Sequence, residues 1–125
     1  MITEDYVSFE TAKLLKEKGF NERGLCVYTV NSKELITFGD WVENSCLLSH
    51  LIAAPTLQMA IKWLREEKGI AIVPILSSIL DSKKFLWDVK IIIANTNESY
   101  SQGWIYENYE NAVEAAIKYC LINLI

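Results

Sequence analysis

The residue pattern predicts an α+β fold: an antiparallel sheet of about four to five strands carrying three helices, in the order α-β-β-(β)-α-β-β-α. Three observations lead there. Tyr109, Ala112, Val113, Ala116, Ile117, Cys120, Leu121 and Leu124 recur at helical spacing and trace one apolar stripe. Phe85, Trp87, Val89, Ile91 and Ile93 alternate with Leu86, Asp88, Lys90 and Ile92, which is a strand with one buried and one mixed face. Short polar turns join neighbouring strand segments, and helices stand singly between them, which favours helices packed on an antiparallel sheet over a parallel βαβ array.

The elements follow in order. Ser8 suits an N-cap, because its hydroxyl can accept from a free first-turn amide. Phe9, Ala12 and Leu15 then share one side of a helix over Phe9–Lys18, with Leu14 beside them. Gly19 provides the left-handed stop and Phe20 the apolar residue that folds back. Leu25–Val30 is rich in β-branched and aromatic residues and reads as a strand. Asn31-Ser32-Lys33 is turn-like, and Glu34–Phe38 is its hairpin partner. Gly39–Ser45 reads as loop and Leu47–Ala53 as a third strand.

A second helix opens at Ala54-Pro55-Thr56, with either Pro55 at its first position or Thr56 as N-cap. Leu57, Ala60, Ile61 and Leu64 form its core stripe, widened by Met59 and Trp63, and Gly69 ends it. Ile70–Leu76 is a strand that Pro74 confines to an edge or interrupts. Phe85–Ile93 is the alternating strand. Asn95–Gly103 reads as polar loop and Trp104–Tyr106 as a short extended piece. Asn108 caps the last helix, and Glu110 favours its positive end.

The chain has 125 residues, 51% hydrophobic and 22% charged, with a net charge of −4. One globular domain over residues 1–125 fits that length. Two arginines and ten scattered lysines form no basic face, so nucleic-acid binding is not expected. No basic start with an apolar h-region opens the chain, and no apolar run is long enough to span a bilayer, so a cytoplasmic protein with no membrane partner is expected. Three cysteines without a CxxC pair read as reduced thiols.

Three segments carry a resemblance: Val7-Ser8-Phe9-Glu10-Thr11-Ala12-Lys13-Leu14-Leu15-Lys16-Glu17-Lys18-Gly19-Phe20, Ala54-Pro55-Thr56-Leu57-Gln58-Met59-Ala60-Ile61-Lys62-Trp63-Leu64-Arg65-Glu66, and Tyr109-Glu110-Asn111-Ala112-Val113-Glu114-Ala115-Ala116-Ile117-Lys118-Tyr119-Cys120-Leu121. In this order they resemble small uncharacterised proteins encoded in prophages and mobile elements of gut Bacteroidetes. The resemblance covers the three helices, under half the chain. It implies a mobile-element setting and a bacterial cytoplasm. It implies no activity and carries over no catalytic residue.

The chemistry-bearing residues are few. Cys46 and His50 lie four apart, and His50 is the single histidine. An imidazole beside a thiol can create a thiolate nucleophile, which would make a small hydrolase or transferase. In a strand the two would sit roughly 13 Å apart, and the plain reading is a structural thiol and an unrelated histidine. One histidine and three dispersed cysteines make no metal site. The five glycines form no phosphate-binding loop, and no cofactor is expected.

Aromatic residues make up 11% of the chain, more than one small core needs. Trp63 and Trp87 are expected in the core. Trp41 and Trp104, flanked by polar loop residues, are candidates for a partner surface, with Ile92, Ile122 and Ile125 as the apolar residues left without a core position. The sequence thus favours a non-enzymatic protein-interaction module, contacting another protein or a second copy through the sheet's mixed face or the Trp41 and Trp104 loops. A small-ligand site between helices and sheet is the third reading.

Overall fold

The computed structural model describes every residue except Met1, Gln102 and Trp104, and describes residues 39–42 by backbone alone. The fold is α+β, with three helices and two three-stranded antiparallel sheets among the described residues. The expected single sheet of four to five strands is therefore two sheets with six strands. The chain divides into two compact units, residues 1–60 and 61–125.

In the first unit, helix α1 spans Phe9–Glu17 and buries Thr11, Ala12 and Leu15. Ser8 Oγ accepts from the Thr11 amide at 3.2 Å. At the other end Gly19 takes φ +96°. Its amide donates to the Lys16 carbonyl (3.1 Å), and the Phe20 amide donates to the Leu15 carbonyl (2.8 Å). These two bonds satisfy carbonyls that the helix end would otherwise leave open, and they seat Phe20 in the core.

Strand β1 (Gly24–Thr29) lies between β2 (Leu35–Val42) and β3 (Leu51–Ala53). The expected hairpin partner Glu34–Phe38 extends through the segment expected to be loop, since Val42 pairs with Gly24 across a bulge. An edge strand tolerates Gly39 and Asp40 because only one of its sides must be satisfied.

The third strand is shorter than Leu47–Ala53. Asn44–Cys46 form a 3-10 turn, and the Leu51 amide donates to the Leu48 carbonyl in a second turn. Asn44 is buried and explains the turn. Its Nδ2 donates to the Phe20 carbonyl (2.8 Å) and its Oδ1 accepts from the Ala53 amide (2.9 Å). One side-chain amide thus ties the end of α1 to β3.

Helix α2 (Leu57–Lys68) begins in the first unit and continues into the second. Thr56 is its cap, because Thr56 Oγ1 accepts from the Met59 amide at 3.1 Å. Leu57, Ala60, Ile61 and Leu64 are buried with Trp63, while Met59 is exposed. The stripe is thus narrower than expected on the Met59 side.

The second unit holds β4 (Ile70–Asp81), β5 (Lys84–Ile93), β6 (Glu98–Ser101) and helix α3 (Tyr109–Asn123), with β5 central. Strand β6 lies within the expected polar loop Asn95–Gly103. Asn97 at φ +59° helps reverse the chain, and Glu98–Ser101 then pairs with Lys90–Ile93. Its polar residues are acceptable because β6 is an edge. Asn108 Oδ1 accepts from the Asn111 amide at 3.0 Å and caps α3, which packs on β4 and β5. Ala112, Val113, Ala116, Ile117, Cys120 and Leu121 form the buried side of α3.

Strand β4 does not stop near Leu76 but runs to Asp81, pairing Pro74 with Val89 on the way. The ladder explains how. Trp87 both donates to and accepts from Tyr106, each at 2.8 Å, on the side of β5 away from β4. Its β4 neighbour Leu76 therefore turns its own N–H and C=O to the open edge of β4. Pro74, two residues earlier, has the same orientation, so its missing N–H costs no ladder bond.

Candidate functional site

The sequence candidates are scattered. Cys46 ends the 3-10 turn and is exposed, with Ser45 Oγ 3.9 Å from its sulfur. His50 is exposed in the turn that leads into β3, and its carbonyl accepts from the Val30 amide. No hydrogen bond joins the thiol to the imidazole among the described contacts. No group of three or more His, Cys, Asp or Glu is placed to hold a metal among the described residues. No helix there is long and apolar enough to cross a membrane.

Of the partner candidates, Trp104 and the Trp41 side chain lie outside the described residues. Ile92 is half-buried in β5, opposite Ala71 and Ser99. Ile122 and Ile125 are exposed at the end of α3. The structure does not gather these three into the patch described below.

A cleft of about 150 Å³ opens in the first unit, with Tyr6, Phe20, Arg23, Leu25, Pro55 and Met59 among its walls. Ordinary small-molecule sites occupy about 300–1,000 Å³, so this cleft suits a few waters or a single side chain. At its rim the Tyr6 phenol is held above its usual pKa, first by its hydrogen bond to the Cys26 thiol and then by burial. Cys26 is itself buried, with Thr37 Oγ1 4.0 Å from its sulfur. Burial pushes the Cys120 thiol up to about 12. These two thiols are structural, because a nucleophile needs an accessible thiolate.

The surface that stands out is in the second unit. In the β4–β5 hairpin, cross-strand partners share a face. Ile70, Ile72, Pro74 and Leu76 therefore face the same way as Ile93, Ile91, Val89 and Trp87. Near the body of the unit this face is core: Ile70, Ile72, Val89 and Ile91 are buried. Trp87 packs edge-on against Tyr109, the first residue of α3, with ring centroids 5.1 Å apart. The helix begins there, while the hairpin runs on to Asp81 in β4 and Lys84 in β5, through register shifts at Leu76/Ser78 and Ile79/Asp81.

Beyond Trp87 the hairpin remains apolar. Ile75, Leu76, Ile79, Leu80 and Phe85 are all exposed, Ile79 at 65% and Leu80 at 54%. Ile79 pairs with Phe85, and Phe85 packs edge-on against Trp87 with ring centroids 6.1 Å apart, so the core face runs on past the start of α3. From Ile70 to Leu80 strand β4 carries no charged residue. Natural edge strands are usually blunted by lysine, proline, bulges or cover; here Pro74 blunts the proximal edge, while Ile75–Leu80 is bulged but carries neither lysine nor proline. Sequence reading assigned the excess of apolar residues to a handful of sites elsewhere. The pattern ends the strand from Ile70 at Leu76, so the residues from Ser77 to Leu80 stand outside every predicted element. The signal was the charge-free run from Ile70 to Leu80. No family model, curated protein or solved structure matches the chain.

Proposed function

We propose that this chain is a non-enzymatic protein-interaction module that docks through the distal half of its β4–β5 hairpin, Ile75–Leu86. The observation that supports the reading is the open, charge-free edge of β4 flanked by exposed Leu76, Ile79, Leu80 and Phe85. Such an edge offers unpaired backbone groups and apolar side chains together, the combination used when one chain adds a strand to another. The prophage or mobile-element setting in a bacterial cytoplasm belongs to the same proposal, supported by the three helix segments.

The test is bifunctional cross-linking of the chain in the cell that encodes it. The wild type is compared with the double variant Ile79→Lys, Leu80→Lys, with folding followed by far-UV circular dichroism. The reading expects cross-linked species with the wild type and their loss in a folded double variant. Equal cross-linking by both would remove the hairpin as the docking surface.

A further inference from the structure

We infer that the occupant of this edge is a second copy of the chain, paired antiparallel through β4 with Leu76 opposite Ile79 of the other copy. The inference rests on the docking role just proposed and specifies its partner. The segment Ile75-Leu76-Ser77-Ser78-Ile79-Leu80 reads the same in polarity from either end. About a two-fold axis between Ser77 and Ser78, serine meets serine, Leu76 meets Ile79 and Ile75 meets Leu80. A closed dimer needs such self-complementarity, because the same patch serves both copies.

The ladder geometry agrees with this register and disfavours its neighbours. In an antiparallel pair, opposed residues must share a sheet face. An unbroken strand alternates faces, so its residues three apart lie on opposite sides. Here the register with β5 shifts between Leu76 and Ser78. That bulge places both Ser77 and Ser78 opposite Leu86 and reverses the alternation. Leu76 and Ile79, three apart, consequently share the core face, and Ile75 and Leu80 share the other.

The backbone follows the same logic. Leu76 presents its N–H and C=O to the open edge. Ile79 does so too, since its partner Phe85 has the same orientation in β5 as Trp87. Leu76 of each copy can then exchange two hydrogen bonds with Ile79 of the other. The pairing ends beyond Ile75 and Leu80, because Pro74 has no N–H to give and the register with β5 shifts again between Ile79 and Asp81. The absence of charge between Ile70 and Leu80 means that no side chain is set against its own like charge across the axis, although each chain carries −4 overall.

The test uses the full chain at two levels. Light scattering of the wild type over a concentration series is expected to reach twice the chain mass, and Ile79→Lys is expected to weaken the dimer by at least about tenfold. Register is read by disulfide trapping in a Cys46→Ser background. Ile75→Cys chains mixed with Leu80→Cys chains should link on mild oxidation, because the two positions face each other at disulfide distance. Neither variant alone should link, since like positions lie roughly 17 Å apart along the strands. Linking by a single variant, or none in the mixture, overturns the register. A wild type that stays monomeric while its cellular cross-links persist overturns the second copy and leaves the docking surface standing. Loss of both removes the surface as well.

Discussion

The two halves of the β4–β5 hairpin are built from the same kinds of side chain and differ in what lies over them. Near the body, Ile72 faces Ile91 and both are buried, with α3 packed on the two strands. Toward the turn, Ile79 faces Phe85 and both are exposed. The changeover falls at Trp87, where Tyr109 starts the helix. Apolar content alone therefore does not mark core; it marks surface that wants cover, and the source of that cover differs along one strand. A two-stranded ribbon is marginal by itself in water. The distal half borrows its order from the proximal half and exposes what a partner can use.

That contrast can be broken most forcefully at Ile91. Ile91→Ala empties a fully packed site and is expected to cost about 2–5 kcal/mol in urea denaturation. An effect under about 1 kcal/mol would mean the proximal face is not the core.

A smaller effect is expected from Cys120 on the helix that covers that face. Its folded pKa of about 12 lies above the unfolded value near 9. The folded chain then holds the proton more tightly. The associated stability is complete below about pH 9 and is lost as the pH rises toward 12. This group alone should make the chain less stable at about pH 10 than at about pH 8, by on the order of 1 kcal/mol. Cys120→Ala should remove that part of the slope, and an unchanged slope would locate the titration elsewhere.

The cap of the same helix comes next. Asn108→Ala leaves the Asn111 amide without its 3.0 Å acceptor and is expected to cost about 1 kcal/mol, read as a lower urea midpoint. Smallest is Ile79→Ser in the distal half. With 65% of the side chain already in water, monomer stability should change by less than about 0.5 kcal/mol. A loss as large as that of Ile91→Ala would erase the distinction between the halves.

The helices were legible because their information is local. Ser8, Gly19 and Asn108 act within a turn of their own positions, and the apolar spacing of α2 and α3 shows which sides are buried. The strands were legible where both a pattern and a partner exist, as in Phe85–Ile93. They were misread where pairing overrides composition. Strand β6 is polar because it is a short edge. Strand β2 continues through Gly39 because β1 extends beside it to Gly24. Strand β3 is short because Asn44 holds the preceding chain in a turn through contacts with Phe20 and Ala53, residues 24 and 9 positions away. The candidate surface was hidden for a related reason. Whether Ile75–Leu80 is core or surface depends on where α3 begins over the sheet, and that is a tertiary fact.

Amide hydrogen exchange of Leu76 and Ile79, followed by mass spectrometry across a concentration series, tests the central claim most directly. Both N–H groups point to the open edge of β4, so the isolated chain leaves them to water. If the distal hairpin is a docking edge used by a second copy, their exchange slows as the concentration rises, while the amides of Ile70–Ile72 keep their rates. Exchange at the rate of an unpaired edge at every concentration, with the chain folded throughout, would contradict it.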